Sequence, residues 1–301
     1  MKKYVSIACA GILALSMGAF CAGCSGSTDT SSDTSSTEST EQDTYVDAEW
    51  LSENLDDVIV VDARDADTYA TGHIEGAINA GYATVCAAFM DSDTINTTLA
   101  GLGIDGSKEV VVYTDISIYF GEDGCFKWTA AEAGITDVKI LDGGWAAWQA
   151  ADGATCTKTC TLDAVDAPEL EDACSISIVD GDYVNEHLTS STIVDVRSKA
   201  EYNGETNYGE AKLGRIPGAV SLAIDSLYND DYTIKSDSEL ASLFEEAGLT
   251  DKDAEIITYC TGGIRAGDVA ELLEEQGFTN VKVYAGSFTD WAANDAYEVE
   301  K

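Results

Sequence analysis

Positive charge is what this sequence has least of. Against 55 Asp and Glu it carries only 16 Lys and Arg, a formal net charge of −39. Nucleic-acid binding is excluded as a main role, because neutralising a phosphate backbone needs clustered cations. Electrostatic attachment to anionic lipid is excluded on the same ground. Two prolines beside 27 glycines exclude collagen-like and proline-rich architectures. Nine cysteines in 301 residues fall short of the density of a small disulfide scaffold. What is present is a 45% hydrophobic fraction with 9% aromatics, enough to bury real cores. At roughly 150 residues per domain, the length fits about two domains.

The first 43 residues read as targeting and spacing rather than fold. Lys2 and Lys3 precede an uncharged apolar stretch from Tyr4 to about Phe20, closed by Cys21-Ala22-Gly23-Cys24. This is the form of a secretory signal peptide over residues 1–23; an uncleaved anchor helix and a cleaved soluble export are the alternatives. Ala22-Gly23-Cys24 resembles a bacterial lipobox, although Cys21 stands where Leu is usual. That resemblance implies a lipid-modified Cys24, and a membrane-anchored lipoprotein facing outside the cytoplasm. Loss of residues 1–23 removes two lysines and no acid, leaving 14 basic against 55 acidic residues, or −41. Residues 24–43 are mostly Ser and Thr with Asp, Glu and Gln and almost nothing apolar. Such a run cannot offset its ordering entropy and reads as a flexible tether with a reach of roughly 25 Å.

The remainder is a duplication. Val60-Val61-Asp62-Ala63-Arg64 recurs as Ile193-Val194-Asp195-Val196-Arg197, and Gly72-His73-Ile74-Glu75-Gly76-Ala77 as Gly214-Arg215-Ile216-Pro217-Gly218-Ala219. Glu109–Thr114 is echoed by Glu255–Cys260, and Val138–Leu141 with Gly143 and Trp148 by Val281–Tyr284 with Gly286 and Trp291. Short β-branched runs alternate with helical patterns such as Asp268–Gln276, which predicts two α/β domains, each a mainly parallel sheet flanked by helices. The boundaries fall at residues 44–153 for the first domain, 154–174 for a linker and 175–301 for the second.

Chemistry concentrates at Cys260. It ends a strand and is followed by Thr261-Gly262-Gly263-Ile264-Arg265 and a helix. Ligands of open α/β sheets bind beyond the carboxyl ends of strands. A glycine-rich turn at a helix N-terminus points amides inward and favours thiolate over thiol, and Arg265 adds a full charge. The alternative is a buried structural cysteine. In the first domain Thr114 replaces the cysteine and Asp115-Ile116-Ser117 lacks the glycine pair.

Asp-x-Arg, Gly-x-Ile-x-Gly-Ala, Tyr-Cys-x-x-Gly-x-Arg and a terminal Gly-x-x-x-x-Trp together resemble the tandem rhodaneses, the thiosulfate and 3-mercaptopyruvate sulfurtransferases. The resemblance covers about residues 45–298. It implies an inactive first domain that walls the cleft, and a second domain in which Cys260 carries a persulfide. The sulfane sulfur comes from a small anionic donor and passes to cyanide, a thiol or a thiol protein. Thr261, Gly262, Gly263, Ile264 and Arg265 would bind substrate, and Arg215 matches a position where a donor-contacting Arg is common. One loop cation leans the donor toward thiosulfate over 3-mercaptopyruvate. No metal or organic cofactor is implied. Cys260 to Arg265 is Cys-x₄-Arg, one residue shorter than the Cys-x₅-Arg loop of phosphatases on this fold. A persulfide carrier or redox-sensing module would use the same Cys260, and an interaction protein with a vestigial site is a third alternative.

Of the two histidines, His73 is either catalytic or a turn-ordering residue, and His187 falls on a surface helix. Asp62, Arg64, Asp195 and Arg197 read as ion pairs within their domains. Cys86 and Cys125 are candidates to pair. Cys156, Cys160 and Cys174 lie in the interdomain segment. Cys156-x₃-Cys160 has no histidine nearby in sequence, so a disulfide is expected among these cysteines rather than a metal, with the connectivity open. Of the five cysteines of the mature chain besides Cys24 and Cys260, at least one is left free or paired with Cys260.

Overall fold

The computed structural model describes residues 44–85, 89, 92–118, 120–167 and 174–301. The segments read as signal peptide and tether, with Cys24, and also Cys86, lie outside the described residues. In the first domain the order is β1 (Tyr45–Val46), α1 (Ala48–Asn54), β2 (Ile59–Asp62), α2 (Ala66–Thr71), β3 (His73–Ile74), β4 (Ile78–Asn79), α3 (Tyr82–Val85), α4 (Ser92–Gly101), β5 (Val110–Tyr113), α5 (Glu122–Glu132), β6 (Val138–Leu141), α6 (Gly144–Ala150) and β7 (Thr155–Cys156). The second runs β8 (Ser177–Val179), α7 (Gly181–His187), β9 (Thr192–Asp195), α8 (Lys199–Tyr202), β10 (Val220–Ser221), α9 (Asp237–Glu246), β11 (Ile256–Tyr259), α10 (Ile264–Glu275), β12 (Val281–Tyr284) and α11 (Ser287–Ala293).

Each domain holds a five-stranded sheet, ordered β1-β6-β5-β2-β4 in the first and β8-β12-β11-β9-β10 in the second. The two orders are the same when counterparts are matched, and every pairing within them is parallel. The central strands Val110–Tyr113 and Ile256–Tyr259 are buried at all four residues. Parallel strands covered by helices on both faces need apolar side chains on both, so continuous β-branched runs form them.

The Asp-x-Arg motifs close buried triads in both halves. Arg64 clasps Asp62 (2.6 Å) and donates to the Gly72 carbonyl, while the Tyr113 hydroxyl donates to Asp62 (2.6 Å). Arg197, Asp195, Gly214 and Tyr259 repeat this arrangement. The Tyr113 and Tyr259 hydroxyls in turn accept from the Ile74 and Ile216 amides. These triads tie the strand carrying Asp-x-Arg, the Gly-x-Ile turn and the central strand to one another, and neither arginine is left for chemistry.

One hydrophobic core runs across both domains through the packed pair α5 and α10. Gly267 lies against the Trp128 ring, where a Cβ would come within 2.8 Å. Lys127 bridges from α5 to Glu271 (2.7 Å) and Glu275 (2.9 Å) on α10. The segment read as a linker belongs at its start to the first domain: β7 pairs antiparallel with β3, Cys160 bridges to Ile78, and the Val165 amide donates to the Ala100 carbonyl.

Candidate active site

Cys260 follows the last residue of β11, at the carboxyl edge of the second sheet, and is nearly fully buried. Three residues, Thr261–Gly263, carry the chain into α10. Gly263 has φ +105°, and a Cβ there would meet the Phe89 ring at 2.7 Å and the Ala285 carbonyl at 2.9 Å. The left-handed turn and the crowding both demand glycine. The result is that the Gly263 amide donates directly to Cys260 Sγ at 3.1 Å. The first amides of α10, from Ile264 on, have no acceptor within the helix, so the helix N-terminus adds its positive end to this cradle.

The loop is held from below by α11. The Phe288 amide donates to the Cys260 carbonyl (3.0 Å), and the Thr289 amide and hydroxyl to the Thr261 carbonyl (3.1 and 2.7 Å). Ser287 has φ +51°, an uncommon conformation for a residue with a Cβ. Its hydroxyl accepts from the Cys260 amide (3.1 Å) and donates to the Tyr284 carbonyl (2.8 Å), with Oγ 4.0 Å from Sγ. Sequence reasoning missed Ser287. The available signal was the echo of Gly143-Gly144 by Gly286-Ser287, in which both Gly144 and Ser287 are left-handed.

Arg265 does reach the site, but not as an uncompensated cation. Its guanidinium forms a two-pronged pair with Glu201 (3.1 and 3.0 Å) and donates to the Thr261 hydroxyl (2.6 Å), which donates onward to Glu201 (2.9 Å). Glu201 is the third residue of a Ser198–Glu201 capping box opening α8, so the same carboxylate terminates a helix and anchors the loop. Burial alone would raise the Glu201 carboxyl; the Arg265 and Ser198 contacts overcome it and hold it at about 2. Glu201, too, was not singled out from sequence.

Both domains line the cleft above Cys260, which has a volume of about 430 Å³. The second contributes Tyr208, Thr261, Gly262, Ile264 and Arg265, and the first Tyr82, Ile118, Phe120 and Glu122. Burial, and to a lesser degree the neighbouring Asp123, push the Glu122 carboxyl up to about 8. At neutral pH the cleft therefore contains a neutral acid, a paired arginine and converging amide dipoles.

Arg215 is not among the residues lining this cleft. Its backbone is zipped to Glu300 (2.9 and 3.0 Å), its guanidinium pairs with the Glu300 carboxylate, and it lies 4.5 Å from the Tyr202 ring centroid. The Gly-x-Ile turn thus pairs this arginine with Glu300. His73 is also absent from the cleft, its ring buried between Tyr69 of α2 and the segment after β7. Thr114, the counterpart of Cys260, is fully buried with its hydroxyl unpaired. His187 ends α7, partly buried and stacked on Tyr183. Cys156 and Cys160 carry free thiols where a disulfide was expected.

A cysteine cradled by a backbone amide at the carboxyl edge of a parallel sheet, in a three-residue turn leading into a helix, is a single nucleophilic sulfur presented at the ligand-binding edge of an α/β fold. The sequence profile of the rhodanese-like domain matches residues 47–151 and 180–294, and this chain belongs to that family. It is 31% identical over 272 residues, 83% of this chain and 95% of the other, to a protein of Mycolicibacterium smegmatis named "Putative thiosulfate sulfurtransferase". It is 30% identical to the sulfur carrier protein TtuD of Thermus thermophilus over 82% of this chain and 92% of that one. It is 27% identical to the 3-mercaptopyruvate sulfurtransferase of Escherichia coli over 85% and 97%. Among solved structures, the anaerobic ergothioneine biosynthesis enzyme of Chlorobium limicola is similar at a TM-score of 0.73 and 25% identity, covering 86% of this chain and 70% of that one.

Proposed function

We propose that the protein is a sulfurtransferase that takes a sulfane sulfur from a small anionic donor, thiosulfate being favoured, onto Cys260 and passes it to a thiol or cyanide. The Gly263 amide at 3.1 Å from Sγ is the observation that carries this reading. The Cys260 thiolate attacks the outer sulfur of the donor; the S–S bond of thiosulfate breaks, and sulfite departs with the bonding pair. The terminal sulfur of the new persulfide bears negative charge, which the loop amides at the N-terminus of α10 face. An incoming thiolate or cyanide then attacks that sulfur, and Cys260 leaves again as thiolate.

Thiosulfate is favoured by Arg265 at the cleft wall and by the names of several relatives. The pairing of Arg265 with Glu201 leaves little net positive charge, which keeps 3-mercaptopyruvate as the second donor. The rim residues Tyr82, Ile118 and Tyr208 are 63%, 65% and 76% exposed, an apolar collar suited to a thiol protein as acceptor. The same collar, with the name of the Thermus relative, supports the alternative of a carrier that hands its sulfur only to one partner.

The test is an assay of the chain from Thr44 onward with thiosulfate and with 3-mercaptopyruvate, in the presence of cyanide, with intact-mass detection of an adduct of about 32 Da, one sulfur atom. Turnover with an adduct that disappears in Cys260→Ser supports the enzyme, and the faster donor is its donor class. An adduct without turnover supports the carrier, and no adduct with either donor removes both readings. The lipobox-like Ala22-Gly23-Cys24 supports export and anchoring through lipid on Cys24. Fatty-acid labelling that follows the protein and is lost in Cys24→Ala tests that placement.

A further inference from the structure

The halves of the molecule diverge where the Gly-x-Ile turn meets the end of its domain. In the second domain Arg215 and Glu300 face each other there and form an ion pair. At the equivalent place in the first domain His73 faces Cys156, directly opposite it in the antiparallel β3–β7 pair. An ionic clasp is sufficient for the fold, so the chemistry of the first-domain version is not dictated by the architecture.

Three metal-ligating donor atoms, two thiol sulfurs and an imidazole nitrogen, converge at this position. His73 Nε2 lies 3.1 Å from Cys156 Sγ, and it, Cys156 Sγ and Cys160 Sγ all lie within 4.8 Å of one another. The backbone presets each ligand. His73 and Cys156 are register partners, and Cys160 forms a bridge with Ile78 and gives its amide to the Tyr69 hydroxyl at 2.9 Å. The imidazole is fully buried and stacked on Tyr69 with 3.7 Å between centroids. Its Nδ1 is 2.8 Å from the Tyr69 carbonyl and its Nε2 3.1 Å from the Lys158 carbonyl, both acceptors only, so the ring can donate from either nitrogen. With the proton held on Nδ1 by the closer carbonyl, the Nε2 lone pair is available to a metal. A backbone carbonyl on the far nitrogen is the arrangement that fixes the tautomer of a metal-binding histidine. The Lys158 carbonyl oxygen sits amid the three donors, 3.1 Å from Nε2 and 3.4 and 3.8 Å from the sulfurs.

We propose that His73, Cys156 and Cys160 form a binding site for a thiophilic d¹⁰ metal ion, Zn²⁺ in the first instance, with the Lys158 carbonyl or a water in the fourth position. Bonds of about 2.3 Å to sulfur and about 2.0 Å to nitrogen separate tetrahedral donors by roughly 3.5–3.8 Å. The three donors lie within 4.8 Å of one another, and the 3.1 Å between Nε2 and Cys156 Sγ has to open by about 0.4 Å when a metal is held. Both thiols bind as thiolates, so loading releases up to two protons to buffer with no change of oxidation state. Cys-x₃-Cys alone did not suggest this site, because its histidine is supplied from 83 residues upstream. None of the three ligands lines the Cys260 cleft, and the site is independent of sulfur transfer. A second cluster, Cys174 with Glu271 and Glu274, offers a single soft ligand and serves as the control.

The experiment uses the full-length chain carrying Cys260→Ser, so that the cleft thiol does not compete. After reduction and removal of reductant under nitrogen, it is titrated with Zn²⁺ against a chromophoric chelator, and separately with Co²⁺. We expect one tight equivalent of zinc with proton release, and with cobalt a thiolate charge-transfer band and the strong visible bands of a tetrahedral site. Cys160→Ser, at a half-buried position, and His73→Gln should each weaken zinc binding by more than the roughly 10–100-fold that loss of an outer-sphere partner costs. Cys174→Ser should leave the tight equivalent in place, and circular dichroism of each variant reports whether the fold is intact. Zinc binding undiminished in Cys156→Ser/Cys160→Ser overturns the site. So does a reduced protein that binds zinc no better than that double variant, or a Cys156–Cys160 disulfide that persists through reduction and excludes the metal.

Discussion

The two domains share a strand order, a buried Asp-Arg-Tyr triad and a left-handed residue opening the last helix, yet only one of them builds a sulfur cradle. The difference lies in the turn after the central strand. The second domain goes from Cys260 to α10 through Thr261–Gly263, whereas the first goes from Thr114 to α5 through residues 115–121. A short turn with Gly263 at φ +105° folds an amide back onto the residue that ends the strand. A longer turn opening with Asp115 does not. The duplicated scaffold supplies the sheet edge, and the loop length and glycine content supply the site.

Exchanging the two turn-leading residues should have the largest effect. Cys260→Ser should take turnover to background, a loss on the order of 10⁴-fold or more, with melting temperature unchanged. Thr114→Cys in that background should not restore it, because its thiol would face a turn without the glycine pair. Measurable turnover from Thr114→Cys/Cys260→Ser would show that the cradle is not what distinguishes the halves.

The pair of Glu201 with Arg265 has no counterpart in the first-domain turn, which contains no basic residue. The Glu201 side chain is only 1% exposed. Arg265→Ala should therefore destabilise the protein by about 3 kcal/mol, mostly by stranding a buried carboxylate. Its effect on an anionic donor is read cleanly only when Glu201 is neutralised too. Arg265→Gln/Glu201→Gln should regain most of the stability in urea unfolding while KM for thiosulfate rises and kcat changes less. Unchanged KM in the double variant would remove Arg265 from donor binding.

Ser287 against Gly144 is a subtler contrast. Ser287→Ala strands the buried Cys260 amide and should cost about 1–3 kcal/mol. Ser287→Gly strands the same amide but relieves the left-handed backbone, so it should be less destabilising than Ser287→Ala by about 1 kcal/mol. Denaturant midpoints of the two variants decide this, and equal midpoints would mean that the φ of +51° stores no strain.

These comparisons also show what could be read from the chain alone. The strands were legible because parallel strands buried on both faces must be written as β-branched runs, and the duplication showed each run twice. Cys260, Gly262, Gly263 and Arg265 were legible because a strand-loop-helix packs its chemistry into six consecutive residues. Glu201 was not, although Ser198-x-x-Glu201 is a readable capping box, because its second role depends on a partner 64 residues away. The pairing of Arg215 was hidden in the same way: its partner Glu300 is brought to it only by the folded chain. His73 meeting Cys156 is the same kind of event.

The smallest expected effect concerns the first residues of the twin helices, Glu122 on α5 and Ile264 on α10, both of which line the cleft. Burial raises the Glu122 carboxyl from 4.5 to about 8, so it is neutral at pH 7 and presents no charge to an anionic donor. As pH rises through about 8 it ionises, and kcat/KM for thiosulfate should fall about 3–10-fold, a cost of about 1 kcal/mol. The sign for stability is the same. A carboxyl whose folded pKa is raised stabilises fully below its unfolded value near 4.5, and that contribution fades as pH climbs to about 8. Glu122→Gln cannot ionise, so it should flatten the kcat/KM profile between about pH 7 and 9 and the stability profile between about pH 4.5 and 8, while leaving activity at about pH 6.5 near that of the parent. A kcat/KM decline that survives unchanged in Glu122→Gln would assign the ionisation to another group. The first domain would then contribute shape alone to the cleft.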